Sequence, residues 1–408
     1  MTRPNTGASG RKSPLWLSII IALALIGIYV GAMIFLPLPK PVVAQIVKQG
    51  AVDTGQFVPI VWPKSQQAAM GMLDYPNIVT SYDNEKPLPI ASIAKVVSAL
   101  AILKQKPLEL NQPGPTITLG SKDVDFYNSY KSKDGSVVAV QAGEKISQYQ
   151  ALQAMLLPSA NNMAASMVTW AFGSEESYKE YANKMVADFG LEHTHIEDAS
   201  GFSPKTVSTA SDLVKLGKIA LQCPVLAEIV AQTEANIPVA GNIKTTNDVM
   251  GKSGIIGIKT GHTPESGGCF LFAARQEVGG RQQVVIAAVI AAPTIQQARA
   301  GAPAVVNEGF DNITTVKTLG ESAAVATVRV PWANPLQIVA KKDLTQTVWK
   351  GTDLSLKINI TPGDTEQAVG LASMGNDSTE LFMQQELPQP NIWWRLLHPV
   401  ELMSALNS

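Results

Sequence analysis

Three short runs in this chain hold residues suited to nucleophilic catalysis. Ser92 and Lys95 stand three apart in Ser-Ile-Ala-Lys, Ser159 and Asn161 two apart in Ser-Ala-Asn, and Lys259, Thr260 and Gly261 are consecutive. A serine hydroxyl is a poor nucleophile until a base takes its proton. No histidine lies near Ser92 in sequence, so the base at hand is Lys95, which shares a face with Ser92 if the serine opens a helix. An amine acts as a base only when neutral. Burial and a second cation both lower its pKa, and Lys259 is the candidate cation. A helix beginning at the nucleophile also aims backbone N–H groups and its positive dipole end toward developing negative charge.

Taken singly, the runs say little, since Ser9-Gly-Arg-Lys12 has the same spacing as Ser92–Lys95. Ser-x-Asn and Lys-Thr-Gly each occur once, and their settings agree with one another. Ser92 opens a run to Leu103 that is apolar in nearly every register, as in a buried helix. Ser159 follows Pro158, which breaks a helical pattern over 148–170. Lys259 closes a strand-like run before a glycine-rich turn.

The elements around these runs mix apolar helices and short strands from 53 to 315, as in an α+β or α/β domain. Gly268–Ala274 and Gln283–Ala292 read as neighbouring core strands joined at Gly279–Gly280. From 316 to 388, Val328 and Val330, Leu336 and Ile338, then Leu354, Leu356, Ile358 and Ile360 alternate with polar residues. That pattern is expected of a small all-β, sandwich-like domain.

Ahead of these regions, Leu15–Leu36 is an uncharged stretch long enough for a helix to cross the roughly 30 Å hydrocarbon core of a bilayer. Arg3, Arg11 and Lys12 precede it, so a tail over 1–14 is expected in the cytoplasm and the body of the chain outside the cell membrane. The competing reading is a cleaved signal segment, with Val42 and Ala44 as the small-residue site, but 22 residues exceed the usual apolar length of such segments. Residues 37–52 read as a linker. At the other end, 389–408 form an amphipathic segment with Trp393, Leu396, Leu397, Val400 and Met403 on one helical face. Residues 391–406 thus offer either a second membrane contact or a helix packed on its own protein.

Composition narrows the function classes. Charged residues are 16% of the 408 and the formal net charge is −1, so there is no basic footprint for nucleic acid. Cys223 and Cys269 are too few for a disulfide scaffold or a cysteine-based zinc site, and they are read as two buried thiols or one bridge. His193 and His195, beside Glu192 and Glu197, lack a third ligand placed by the sequence, and no metal or cofactor is expected.

The order and setting of the three runs resemble those of the penicillin-binding protein and serine β-lactamase superfamily. Gly257–Phe270 (Gly-Ile-Lys-Thr-Gly-His-Thr-Pro-Glu-Ser-Gly-Gly-Cys-Phe) is similar to the corresponding strand of the low-molecular-mass D-alanyl-D-alanine carboxypeptidases, and 198–204 and 208–213 resemble segments preceding it there. The resemblance runs from about 67 to 310. It implies a β-lactamase/transpeptidase-like fold, an antiparallel sheet flanked by helices. It also implies that Ser92 attacks the penultimate D-alanine carbonyl of a peptidoglycan stem peptide, that D-alanine leaves, and that water frees the acyl-enzyme. β-Lactam antibiotics would acylate the same serine. In that reading the backbone N–H groups of Ser92 and His262 form the oxyanion hole, and Ser159 relays a proton to the leaving amine. Asn161 holds a substrate carbonyl, and Lys259 and Thr260 meet the terminal carboxylate. Gly261 lets an extended peptide lie along the strand. Arg299 is read as a surface arginine rather than a second carboxylate ligand.

Two other functions fit parts of this pattern. A serine β-lactamase of this fold needs a Glu followed four residues later by Asn, which does not occur between Asn161 and Lys259, or Tyr-x-Asn in place of Ser-x-Asn, where this chain has Ser159-Ala-Asn161. A catalytically inactive wall-binding or sensor protein is opposed by the completeness of the three runs.

Overall fold

Hydrophobic patterning divides the chain into pieces of different character. The computed structural model describes residues 15–75, 78–83, 86–361 and 369–407, so the expected cytoplasmic tail 1–14 lies outside the described residues. The first element, helix α1 (Leu15–Phe35), is apolar on every side and buries only Met33. At 1.5 Å per residue it is about 31 Å long, the thickness of a bilayer's hydrocarbon core.

Two compact units follow. One comprises 55–314 with 348–351. Its centre is a five-stranded antiparallel sheet built from β1 (Gln67–Met72), β2 (Ile78–Tyr82), β3 (Ile255–Thr263), β4 (Gly267–Val278) and β5 (Arg281–Ala292), in the order β3-β4-β5-β1-β2. As expected, β4 and β5 are neighbours, paired down to Val278 opposite Arg281 across the two-residue Gly279–Gly280 turn.

The sheet is covered on both faces, which explains why β5 reads as an unbroken apolar run. Side chains alternate across a strand. Ile286, Ala288 and Ile290 therefore join one core, with helices α2 (Ala94–Gln105), α3 (Gln148–Leu156), α4 (Asn161–Phe172) and α5 (Ala210–Gln222). Val285, Ala287 and Val289 join a second core under helix α6 (Ile295–Asp311). Helix starts are set by local chemistry. The Ser147 hydroxyl accepts from the Gln150 N–H while Gln150 returns a bond to the Ser147 N–H, a capping box opening α3. Thr209 and Thr294 cap α5 and α6 in the same sense.

The other unit comprises 1–54, 315–347 and 352–408. Beyond α1 it is largely one seven-stranded antiparallel sheet in the order Val42–Gln45, Ala324–Arg329, Leu336–Ala340, Asp377–Met383, Gly370–Met374, Leu354–Ile360, Gly50–Val52. Leu354, Leu356 and Ile358 point inward and Ser355, Lys357 and Asn359 outward, the alternation its sequence displays. A two-stranded ribbon joins Ile313–Leu319 to Leu344–Trp349.

The stretch 37–52 departs from its reading as a linker. Val42–Gln45 pairs with Ala326–Arg329, and Gly50–Val52 pairs with Leu354–Leu356, so both edges of the sheet come from this segment. Three- and four-residue strands are too short for a periodicity signal; only their distant partners define them. The chain ends in two short helices, α7 (Ile392–Leu397) and α8 (Pro399–Ser404), separated at His398 where Pro399 precludes a continuous helix.

Candidate active site

The nucleophile candidate sits on a tight turn. Residues Ala91–Ile93 form a single 3₁₀ turn that leads into α2, so Ser92 precedes the α-helix proper. Ala91 holds φ at +46° and Ser159 holds φ at +65°. Each is a non-glycine residue in the left-handed region, a conformation costing on the order of 1–3 kcal/mol that persists where surrounding packing imposes it.

Lys95 is fully buried, and its amine meets three oxygens: Ser92 Oγ at 2.7 Å, Asn161 Oδ1 at 2.7 Å and the Ser200 carbonyl at 2.9 Å. This geometry suits a neutral amine. Two N–H bonds go to the Asn161 and Ser200 oxygens, neither of which can donate, and the lone pair then faces the serine hydroxyl. The electrostatics agree. Burial holds the Lys95 pKa well below the usual lysine range, the nearby Lys259 lowers it further, and Asp198 opposes the shift.

Lys259 lies on β3, 2% exposed, with Nζ donating to the Thr260 carbonyl at 3.0 Å. Burial pushes its pKa down to about 7. The Thr260 hydroxyl is 2.6 Å from that of Thr246. Gly261 has a packing role that its sequence context did not reveal: a Cβ there would stand 2.9 Å from the Ile90 carbonyl and 3.1 Å from the Ser92 nitrogen. Its missing side chain seats the strand against the nucleophile's turn. The Ser159 hydroxyl is buried and has no hydrogen-bond partner among the described residues.

Ser92, Asn161 and His262 line one cleft of about 490 Å³, together with Lys133–Ser136, Gly201, Phe202 and Thr263–Glu265. The His262 side chain is exposed. Lys95, Ser159, Lys259 and Thr260 are nearly buried.

Sequence reasoning marked 198–204 as a segment resembling the family's but gave the loop after Asp198 no role at the site. One Asp198 oxygen accepts from the Ser200 N–H and hydroxyl and from the Phe202 N–H, and the other accepts from the Thr206 hydroxyl at 2.6 Å. These bonds shape the loop that presents the Ser200 carbonyl to Lys95. Gly201, with φ at +72°, packs so closely that a Cβ would lie 1.8 Å from the Ala91 carbonyl oxygen. The Asp-x-Ser-Gly spacing was visible; its proximity to Ser92 and Lys95 was not.

Arg299 departs from its reading as a surface arginine. Its side chain is 15% exposed, Nη1 donates to the Thr246 carbonyl at 2.6 Å, and Nε pairs with the Asp248 carboxylate at 3.2 Å. Thr246 thus links this guanidinium to Thr260. Cys223 and Cys269 are separate thiols. Burial raises the Cys269 thiol to about 11. The His195 Nε2 is 3.5 Å from the Glu197 carboxylate, with the histidine exposed and the glutamate half-buried.

The fold is similar to that of penicillin binding protein 5 from Haemophilus influenzae, with a TM-score of 0.59, 19% sequence identity, and coverage of 81% of this chain and all of that one. Residues 66–294 match the profile of peptidase family S11, D-alanyl-D-alanine carboxypeptidase, and the chain belongs to that family. It is 28% identical over 236 residues to the D-alanyl-D-alanine carboxypeptidase of Streptomyces sp. strain K15, spanning 54% of this chain and 78% of that protein. It is also 27% identical over 191 residues to a D-alanyl-D-alanine endopeptidase of Pseudomonas aeruginosa, spanning 45% and 58%.

Proposed function

We propose that this chain is a membrane-anchored carboxypeptidase that removes the terminal D-alanine from peptidoglycan stem peptides through an acyl-enzyme on Ser92. The observation carrying this reading is the 2.7 Å approach of the Lys95 amine to Ser92 Oγ, with its other contacts directed to Asn161 and Ser200. Ser92 Oγ adds to the penultimate D-alanine carbonyl as Lys95 takes its proton. Backbone N–H groups of Ser92 and His262 receive the developing oxyanion. Collapse of the tetrahedral species expels D-alanine, whose amine is protonated through Ser159, a hydroxyl without a hydrogen-bond partner among the described residues. Asn161 binds Lys95 through its oxygen, leaving its amide N–H₂ to hold a substrate carbonyl. Lys259 and Thr260 receive the terminal carboxylate, which raises the Lys259 pKa again and favours cleavage at a chain end. Water then hydrolyses the ester. β-Lactams acylate the same serine.

In this reading α1 spans the cell membrane, with Arg3, Arg11 and Lys12 on the cytoplasmic side and the catalytic unit outside. The test uses the detergent-solubilised full chain and its Ser92→Ala variant, each incubated with fluorescent penicillin and then with diacetyl-Lys-D-Ala-D-Ala. Labelling and D-alanine release that are both lost in the variant support the proposal. Release of cross-linked stem peptides without free D-alanine would assign an endopeptidase instead. A folded wild-type chain giving neither signal would overturn the enzyme reading for this cleft.

A further inference from the structure

Behind Lys95 lies a second set of contacts that the chemistry above does not use. Ser98 stands one turn further along α2, on the face that carries Lys95. A serine inside a helix commonly returns its hydroxyl to the carbonyl four residues back. Here that carbonyl, of Ala94, is 3.5 Å away, whereas Ser98 Oγ donates at 2.7 Å to the Ala199 carbonyl. The hydroxyl has turned from its own helix to the loop. Lys95 and Ser98 thereby hold two successive loop carbonyls, since Lys95 donates to that of Ser200 at 2.9 Å.

Ser98 has one proton to give, and the Ala199 carbonyl takes it. The Tyr178 hydroxyl, 2.7 Å from Ser98 Oγ, is therefore the donor of that pair. Tyr178 comes from the helix Glu175–Asp188. Burial pushes its pKa well above the ordinary tyrosine value, so the proton that it donates stays in place. Ser98, Tyr178, Ala199 and Ser200 are all fully buried, where no solvent competes for these bonds. The Asp198 carboxylate bonds to Ser200, Phe202 and Thr206, all within its own loop. Those bonds shape the loop without tying it to α2; Ser98 supplies the tie.

Resting on the peptidase reading of the cleft, we infer that Ser98 and Tyr178 are positioning residues for acylation, pinning Ala199 to α2 so that the next carbonyl, of Ser200, faces Lys95. With that acceptor in place, one Lys95 N–H is directed away from Ser92 and the lone pair stays on the nucleophile. Without the pin the 199–200 peptide swings, the acceptor is lost and the amine turns.

The test follows the saturating rate constant of acylation by fluorescent penicillin against pH, per labelled site, in the detergent-solubilised full chain. Ser98→Ala should lower the plateau about 10-fold and Tyr178→Phe about 3-fold, the range of a single hydrogen bond. Ser98→Thr, which keeps the hydroxyl, should recover most of the rate. Losing a carbonyl acceptor costs the ammonium more than the amine, so the ascending limb in Ser98→Ala should also move to lower pH. Lys259 and Asp198, the charges facing Lys95, are unchanged in these variants. A plateau near that of wild type would overturn the inference, as would a fall with the limb unmoved or a Ser98→Thr variant as slow as Ser98→Ala. Should Ser98→Ala fail to fold, Tyr178→Phe, which removes one oxygen and keeps the ring, carries the same two readings. A folded wild-type chain that takes up no penicillin would instead sink the peptidase reading, a separate result.

Discussion

Lys95 and Lys259 are two buried lysines in the same catalytic unit, yet their surroundings prepare them for different work. Lys95 stands at the start of α2 with three oxygens around its amine, one of them the Ser92 hydroxyl. Lys259 stands mid-strand and, among the described residues, donates to its neighbour's carbonyl alone. Burial lowers both pKa values, and the Lys259 charge lowers that of Lys95 further. The difference teaches that burial alone does not make a base. The amine must also have its hydrogens committed elsewhere, so that its lone pair faces the nucleophile. Lys259 keeps unspent donors, which fits it to receive an anion.

Replacing the two lysines separates the roles. Lys95→Met removes the base, and acylation of Ser92 by penicillin should fall about 10²–10⁴-fold, the range for loss of general-base catalysis. Next in size is Gly201→Ala. A Cβ 1.8 Å from the Ala91 carbonyl must push the nucleophile's turn aside, and acylation should drop about 10²-fold, as for a misplacement near 1 Å. Stopped-flow labelling measures both, and near-normal rates in either folded variant would break the comparison.

Lys259→Ala should cost a carboxylate-terminated peptide roughly 10- to 100-fold in kcat/KM, the worth of a hydrogen bond to a charged group, and cost its C-terminal amide little. The same variant removes a cation that lowers the Lys95 pKa, so the ascending limb of acylation against pH should move to higher pH. Asp198→Asn should move that limb to lower pH, because Asp198 raises the Lys95 pKa. Limbs shifting in the same direction in these two variants would contradict the electrostatic account.

A further effect is on stability. Burial pushes the folded Lys259 pKa down to about 7 from the ordinary lysine value of 10.5, so the unfolded chain binds the extra proton between those values. The cost of burying this amine is full below about pH 7 and fades as pH rises toward 10.5; stability therefore rises with pH across that window. Lys259→Met should flatten that rise in Tm measured by differential scanning fluorimetry.

Much of this was legible beforehand where the signal is local. The apolar length of α1, the break at Pro158, the β4–β5 hairpin at Gly279–Gly280 and the alternation over 354–360 each depend on residues within one element. What failed depends on distance along the chain. Residues 37–52 read as a linker because strands of three or four residues carry no period, and the partners of 42–45 and 50–52 lie some hundreds of positions away. Arg299 read as exposed because nothing nearby in sequence announces the Thr246 carbonyl that it reaches.

The sequence by itself determined which groups are available: a serine with a lysine three residues on, a second lysine in a strand, and an apolar segment long enough to cross a bilayer. Side-chain type and helical or strand period are local properties, and they need no partner to be read. Only the tertiary structure decided what those groups face. Asn161 and Ser200, which take the Lys95 contacts, are 66 and 105 residues from it, and Arg395, which caps the end of α1 by donating to the Met33 carbonyl, is 362 residues from that residue. A pKa depends on burial and on charges in space, and a cap depends on a donor in space. Neither is set by the order of residues until the chain has folded.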